Sequence, residues 1–192
     1  MKELGLVCRV WMKKYRSYKG EVGKGADNLL DRNFHAQKPN HKLTTDVTEF
    51  RPFGQKVYLS PIVDLYSGDI VILSESPNLL MVTTMLEQAL KVLPEKHDLI
   101  LHSNIGRHYQ HKQYRQIRKE NGITQSMSCE GNCYDNAAME SFFGHLKREF
   151  LYLQEFESVD HFKRELIRYI DYYNIRRIKA RLKDLPPVLR KR

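Results

Sequence analysis

Between residues 43 and 73 the apolar positions fall into short, β-branched runs broken by turn residues: LTTDVTEF, then KVYLSPIVDL, then DIVILS after the turn signal YSGD. Alternation over such lengths marks strands, and three in succession predict a meander. The period then changes. In SPNLLMVTTMLEQALKVLP, Leu79, Val82, Leu86, Leu90 and Leu93 recur at helical spacing, with Ser76 as candidate N-cap, Pro77 at the first helical position and Pro94 as the stop. DLILHS, residues 98–103, is a short apolar run of the kind a buried strand uses. A helix through HKQYRQIRKEN ends at Gly122, ITQSMS reads as a fifth strand, CEGNCYD as a polar loop and NAAMESFFGHLKREFLYL as a helix. The last helix, SVDHFKRELIRYIDYYN, opens on Ser158 and closes before an Arg/Lys-rich tail in which Pro186 and Pro187 forbid regular helix. The order is mixed α/β.

Composition changes this picture little, and charge changes it more. At 192 residues, 41% apolar and 29% charged, the chain suits one buried domain. It has no 18-residue apolar run and no signal-peptide pattern, so it is expected to be cytoplasmic, without a membrane partner. Cys8, Cys129 and Cys133 read as free thiols. The net charge of +9 is unevenly placed: residues 1–45 carry ten Lys/Arg against four Asp/Glu, and residues 174–192 eight against one, leaving the middle net acidic. Basic ends on an acidic centre suit a polyanionic partner, most simply nucleic acid; solvated tails that keep the chain soluble are the plainer alternative.

One set of residues sits at element ends where side chains can converge. Asp46 lies in the first strand, Asn104 caps the fourth and Glu140 is in the helix that starts near Asn136, with thirty-five residues between Asn104 and Glu140. With that spacing, and with TDVTEF, YLSPIVDLYSGDIV and GNCYDNAAMESFFGHLK as they stand, the chain resembles the OrfB-type transposases of bacterial insertion sequences, which share the ribonuclease H-like core of retroviral integrases. KKYRSYKGEVGK resembles the end of that family's helix-turn-helix region, most of which the chain is therefore expected to lack. The resemblance implies a ribonuclease H-like α/β fold: a mixed five-stranded sheet, strands 1–3 antiparallel, with helices on both faces. It also implies an organisation into a basic segment 1–40, an integrase-type core 41–173 and a basic tail 174–192.

The implied process is DNA integration by metal-dependent cleavage of transposon ends and strand transfer. Two Mg²⁺ (or Mn²⁺) ions about 3.5–4 Å apart stabilise attacking and leaving oxygens in such reactions, and hard cations want anionic oxygen ligands. The family's Asp, Asp and Glu fall on Asp46, Asn104 and Glu140, with Asp46 and Glu140 as the remaining metal ligands. Asn104 offers one neutral oxygen in place of a carboxylate, so weak or single-ion binding and lost or reduced catalysis are expected. Asp98 cannot substitute, because six strand residues at about 3.3 Å each place it roughly 20 Å away. The turn Ile105-Gly106-Arg107 and Leu43 also depart from the family pattern, and the strand segment DIVILSES looks short; together they favour a decayed copy. A non-catalytic DNA-binding protein that pairs with an intact transposase is the rival reading.

Further candidates are expected to meet DNA. Lys147 lies two helical turns beyond Glu140, Arg107 and His108 follow the Asn104 turn, and Asn132 and Tyr134 precede the glutamate helix. In the tail, Arg176, Arg177, Lys179 and Arg181 interleave with apolar residues. Asn132, Tyr134 and Asn136 are equally readable as a polar loop with an N-cap, and Asp135 as a first-turn residue favoured by the helix dipole. His102, His108 and His111 with Cys129 and Cys133 lack zinc-site spacing. GEVGKGAD fails the P-loop pattern, and Phe142, Phe143, Leu146 and Phe150 read as core.

Overall fold

The computed structural model describes residues 25–74, 81–94 and 98–190. The predicted first strand is present as two segments, β1 (Lys42–Thr45) and β2 (Thr48–Phe50). Both pair antiparallel with β3 (Val57–Asp64) in one unbroken register, Leu43 opposite Asp64 and Thr48 opposite Leu59. Carrying that register through the gap sets Asp46 opposite Pro61, which has no N–H to give to the ladder. The strand therefore opens at Asp46, the residue singled out for chemistry.

Next come β4 (Ile70–Ser74), β5 (Ile100–Ser103) and β6 (Thr124–Met127). β4 pairs antiparallel with the outer side of β3, and β5 lies parallel between β1 and β6. The six segments thus occupy five positions, β4, β3, β1/β2, β5, β6, with an antiparallel meander leading into parallel strands. Helix α1 (Met81–Val92) links β4 to β5, and α2 (Lys112–Glu120) links β5 to β6. The Ser76–Pro77 start signal lies outside the described residues. α2 stops at Asn121, followed by Gly122 at φ 66°, a left-handed position that glycine occupies at low cost.

α3 (Ala137–Leu146) runs on into a π-helical turn, Lys147–Leu151. α4 (Val159–Ile175) starts as its sequence predicts: the Ser158 hydroxyl accepts from the His161 N–H at 3.0 Å.

Alternation along the strands divides the core. Leu59 and Val63 of β3 face one side and pack with Phe142, Phe150, Phe162 and Leu166 of α3 and α4. Ile62, Leu43 and Leu101 face the other and pack with Val82, Met85, Leu86 and Tyr114 of α1 and α2. Helices thus cover both faces, and Phe142, Phe143, Leu146 and Phe150 are core residues. Each fully buried Phe or Leu contributes about 1.5–3 kcal/mol relative to exposure.

The flanking segments lie against this core. Leu30 and Ala36 bury with Leu65, and Met127 N–H donates to Asp27 O at 3.2 Å, covering the free edge of β6. Beyond α4, Lys179 Nζ donates to Gly68 O (2.7 Å) and Arg190 stacks on Tyr66, so the tail is fastened to the β3–β4 turn.

Candidate active site

Strand ends bring Asp46 and Asn104 together. β1 and β5 are parallel neighbours, Thr44 beside His102, so the residues just past their C-terminal ends meet. Asp46 Oδ1 accepts from Val47 N–H at 2.8 Å and from the Asn104 Nδ2 amide. Asn104 Oδ1 in turn accepts from Gly106 N–H at 2.9 Å. The orientation of the amide follows from its partners: a carboxylate needs a donor on one side and a backbone N–H needs an acceptor on the other, so only one orientation satisfies both. A Cβ at Gly106 would lie 2.7 Å from His108 Nε2 and 2.9 Å from Asn104 Oδ1, so any larger residue there would displace one of these side chains.

Glu140 reaches the same region from the first turn of α3. Asn136, just before that helix, is buried; it accepts from Thr44 Oγ1 (2.6 Å) and donates to Thr45 O (3.3 Å), locking α3 onto β1. It is neither an N-cap by its side chain nor a DNA-facing residue. Asp135 is also buried and accepts from Cys129 N–H (2.9 Å), Asn28 Nδ2 (3.0 Å) and Arg32 Nε (3.0 Å), so it ties the segment before β1 to the loop before α3. Burial alone would raise its carboxyl, but these donors hold it below the usual range. A second tie is made by buried His102, which pairs with Ser126 Oγ (2.8 Å) and Ser128 Oγ (3.2 Å), while Ser126 Oγ accepts from Leu29 and Leu30 N–H. Burial brings His102 down to about 4, with Asp135 opposing, and the ring is neutral.

Burial pushes the Asp46 carboxyl up to about 7, the Val47 N–H pulling it back and the Glu140 charge adding to the rise. Burial also raises Glu140, against a hydrogen bond from the Cys133 thiol. An acid whose folded pKa exceeds its unfolded value near 4 binds more protons when folded between the two. Its contribution is therefore full at low pH and lost as pH rises from about 4 to about 7. Chemical denaturation across that window should show this decline in the unaltered protein and a flatter profile in Asp46→Asn; identical profiles would remove Asp46 as the source.

The donor set does not fit a pair of divalent cations. Two carboxylates remain, and the third position offers an amide whose oxygen is held by Gly106 and whose NH₂ points at Asp46. Among the described residues no group of three or more His, Cys, Asp or Glu gathers where a metal could be held. Asp98 sits at the far end of β5, paired with Lys38 at 2.9 Å.

Comparison with known proteins decides the lineage. The integrase core domain family matches residues 36–133 and again 140–189. The chain is 48% identical over 190 residues to the Escherichia coli K12 protein named transposase InsK of insertion sequence element IS150, covering 98% of this chain and 67% of that one. It is 50% identical over 190 residues to an uncharacterized transposase-like protein of Haemophilus influenzae, covering 98% and 88%. The chain belongs to the insertion-sequence transposases with an integrase core domain. Its fold agrees with this: the HTLV-2 integrase catalytic core, solved in complex with magnesium, superposes with a TM-score of 0.63 at 14% identity, covering 82% of this chain and all of that one. No helix of this transposase-family chain among the described residues is long and apolar enough to cross a membrane.

The remaining candidates are dispersed. Arg107 is exposed; His108 is half-buried, its Nε2 enclosed without a partner, and burial lowers its pKa. Asn132 and Tyr134 lie just before α3, Tyr134 69% exposed. Lys147 lines a groove of about 520 Å³ with Phe50, Phe53, Phe156 and Phe162. Arg176 and Arg181 are exposed, whereas Arg177 makes a two-pronged pair with Glu149 (2.7 and 2.9 Å) and Lys179 donates to Gly68 O and Tyr173 OH. Burial and the neighbouring Arg177 and Arg181 bring Lys179 to about 7. This tail cluster is fastened to the turn beside the start of β1, whereas Asp46 follows its end. Among the described cysteines, Cys129 and Cys133 are free; Cys8 lies outside the described residues.

Reading the sequence missed the two ties. Asp135 is a short acid before a helix, which looks like helix-dipole chemistry, and nothing local reveals that Asn28 and Arg32, more than a hundred residues earlier, fill its carboxylate.

Proposed function

We propose that this transposase-family protein binds DNA through its integrase core and does not carry out the strand cleavage and strand transfer of active relatives. The reading rests on one observation: the Asn104 amide donates to Asp46 and its oxygen is held by Gly106, so an N–H group faces Asp46 where a metal-binding oxygen is required. The amide donates a hydrogen bond to Asp46 rather than sharing a cation with it.

The DNA-facing set in this reading is Arg107, His108, Asn132, Tyr134, Lys147, Arg176 and Arg181. Arg177 and Lys179 join them only if their bonds to Glu149 and Gly68 break. Binding of this kind is salt-dependent and weakly sequence-specific. A protein that occupies DNA without cutting it would compete with an intact transposase.

The test is a nuclease and strand-joining assay on duplexes bearing insertion-sequence ends, in Mg²⁺ or Mn²⁺, comparing the unaltered protein with Asn104→Asp. The unaltered protein should bind without cutting, and the Asp variant should gain metal-dependent cutting. Equal cutting by both would show that Asn104 does not silence the site.

A further inference from the structure

Helix α2 carries charge that the fold does not use. At roughly 100° per residue, Tyr114 and Ile117 turn inward to the α1 side of the core. Gln116 donates to Glu120 (2.7 Å) on one flank. The remaining sector holds His111, Lys112, Arg115, Arg118 and Lys119, with no acid among them. Lys112, Arg115 and Lys119 are exposed, and none is in an ion pair among the described residues. Helix stability does not explain the arrangement, because Lys112 stands in the first turn, against the positive end of the helix dipole, where no acidic residue balances it.

A small cavity with a mixed polar and apolar lining opens at the same place. It measures about 90 Å³ and is lined by Arg115, Arg118, Gln110, Gln125 and Tyr109 among others. That is about three waters' share of liquid volume, room for a compact anion and not for a nucleobase. Arg118 Nη1 donates to Ile123 O at 2.5 Å, but its Nε is buried without a partner. Burial lowers Arg118, the Arg115 charge adding to this and Tyr114 opposing it. Two guanidiniums therefore border this space with no carboxylate lining it, and an entering oxyanion would relieve their repulsion.

The dimensions suit a nucleic-acid backbone. Lys112 and Lys119 are separated by about 10 Å of helix, a length over which one DNA strand carries about three phosphates measured along the duplex axis. Exposed Arg107 stands in the short turn that connects Asn104 to α2 in the chain.

We propose that the Lys112–Arg115–Lys119 face of α2, with Arg118 lining the adjoining cavity, is a phosphate-backbone site for duplex DNA. The assignment deepens the DNA-binding reading above and rests on it. It is distinct from the basic tail, whose Arg177 and Lys179 are held inside the fold.

The test uses the full chain and a labelled duplex of arbitrary sequence, with affinity measured as salt is raised. Combined Lys112→Ala, Arg115→Ala and Lys119→Ala should weaken binding about tenfold or more and make the slope of log K against log salt shallower by about 2. Arg118→Lys, which keeps a donor for Ile123 O, should weaken binding without altering the melting temperature. Removing three cations elsewhere, Arg164, Arg168 and Lys183, should have a much smaller effect. If the unaltered chain binds and the α2 variant matches it in affinity and slope, the site is refuted while the DNA-binding reading stands. An equal loss in the Arg164/Arg168/Lys183 variant would reduce the effect to net charge and also refute the site. Inorganic phosphate that raises the melting temperature of the unaltered chain but not of Arg118→Lys, with DNA affinity the same in both, would make the cavity a free-phosphate site and overturn the DNA assignment. Failure of the unaltered chain to bind any duplex would overturn both readings.

Discussion

Asn104→Asp is expected to lower the melting temperature of the metal-free protein by about 4–8 °C, and Mn²⁺ is expected to restore it. The unaltered protein should gain much less from the ion. The substitution replaces the Nδ2 donor to Asp46 by an oxygen, so a hydrogen bond to a carboxylate is lost and a second acid is set beside one that burial and Glu140 already push up to about 7. Losing a charge-assisted bond and leaving its acceptor enclosed costs about 2 kcal/mol, and a protein of this size loses about 2–4 °C per kcal/mol. The same change supplies the missing anionic oxygen, so a hard cation can then bind the folded state alone, adding about 2.7 kcal/mol at a hundredfold excess over its Kd. Thermal melts with and without Mn²⁺ check both parts; an Asp variant that melts like the unaltered protein in metal-free buffer would show that the amide is not holding Asp46.

Asp135→Ala should be costlier still in stability, about 3 kcal/mol or roughly 6–12 °C. One buried carboxylate accepts from Cys129 N–H, Asn28 and Arg32, and its loss leaves a partly buried N–H and amide without that acceptor and breaks the tie between the two segments. The damage reaches the site, because the loop that Asp135 fixes delivers Asn136 and Glu140 to β1. The carboxyl is held below its ordinary range, so its stabilisation is present above the unfolded pKa near 4 and lost as pH falls through the folded value. Asp135→Asn, which keeps one acceptor oxygen and loses the other, should cost less than Ala and flatten that acid limb, the opposite window from the Asp46 effect. Denaturant titration across pH separates the two, and an Ala variant within 1 kcal/mol of the unaltered protein would contradict the tie.

Much of this was written in local pattern. The switch from alternating runs to helical spacing gives the order of elements, Gly122 and Ser158 mark helix ends by their own chemistry, and the family resemblance singles out Asp46, Asn104 and Glu140 as the candidate site. Pro61 carries a subtler message: its missing N–H explains why the first strand opens at Asp46, but the register that sets them opposite exists only once β1 and β3 pair. The tail shows the limit. Arg177 and Lys179 read as cations for DNA because sequence displays charge and not partners; Glu149, Tyr173 and the Gly68 carbonyl, which engage them, are brought there by tertiary packing. Likewise α2 looks like an ordinary polar helix until Arg118 Nε is found enclosed beside Arg115.

The central claim is that one amide takes the place of a metal ligand by bonding to Asp46. Its most direct test counts Mn²⁺ ions bound per chain, by calorimetry or electron paramagnetic resonance, in the unaltered protein and in Asn104→Asp. Fewer than two ions, bound weakly, are expected for the unaltered protein, with tighter and more complete binding in the Asp variant. Two ions bound by both with the same affinity would contradict the account.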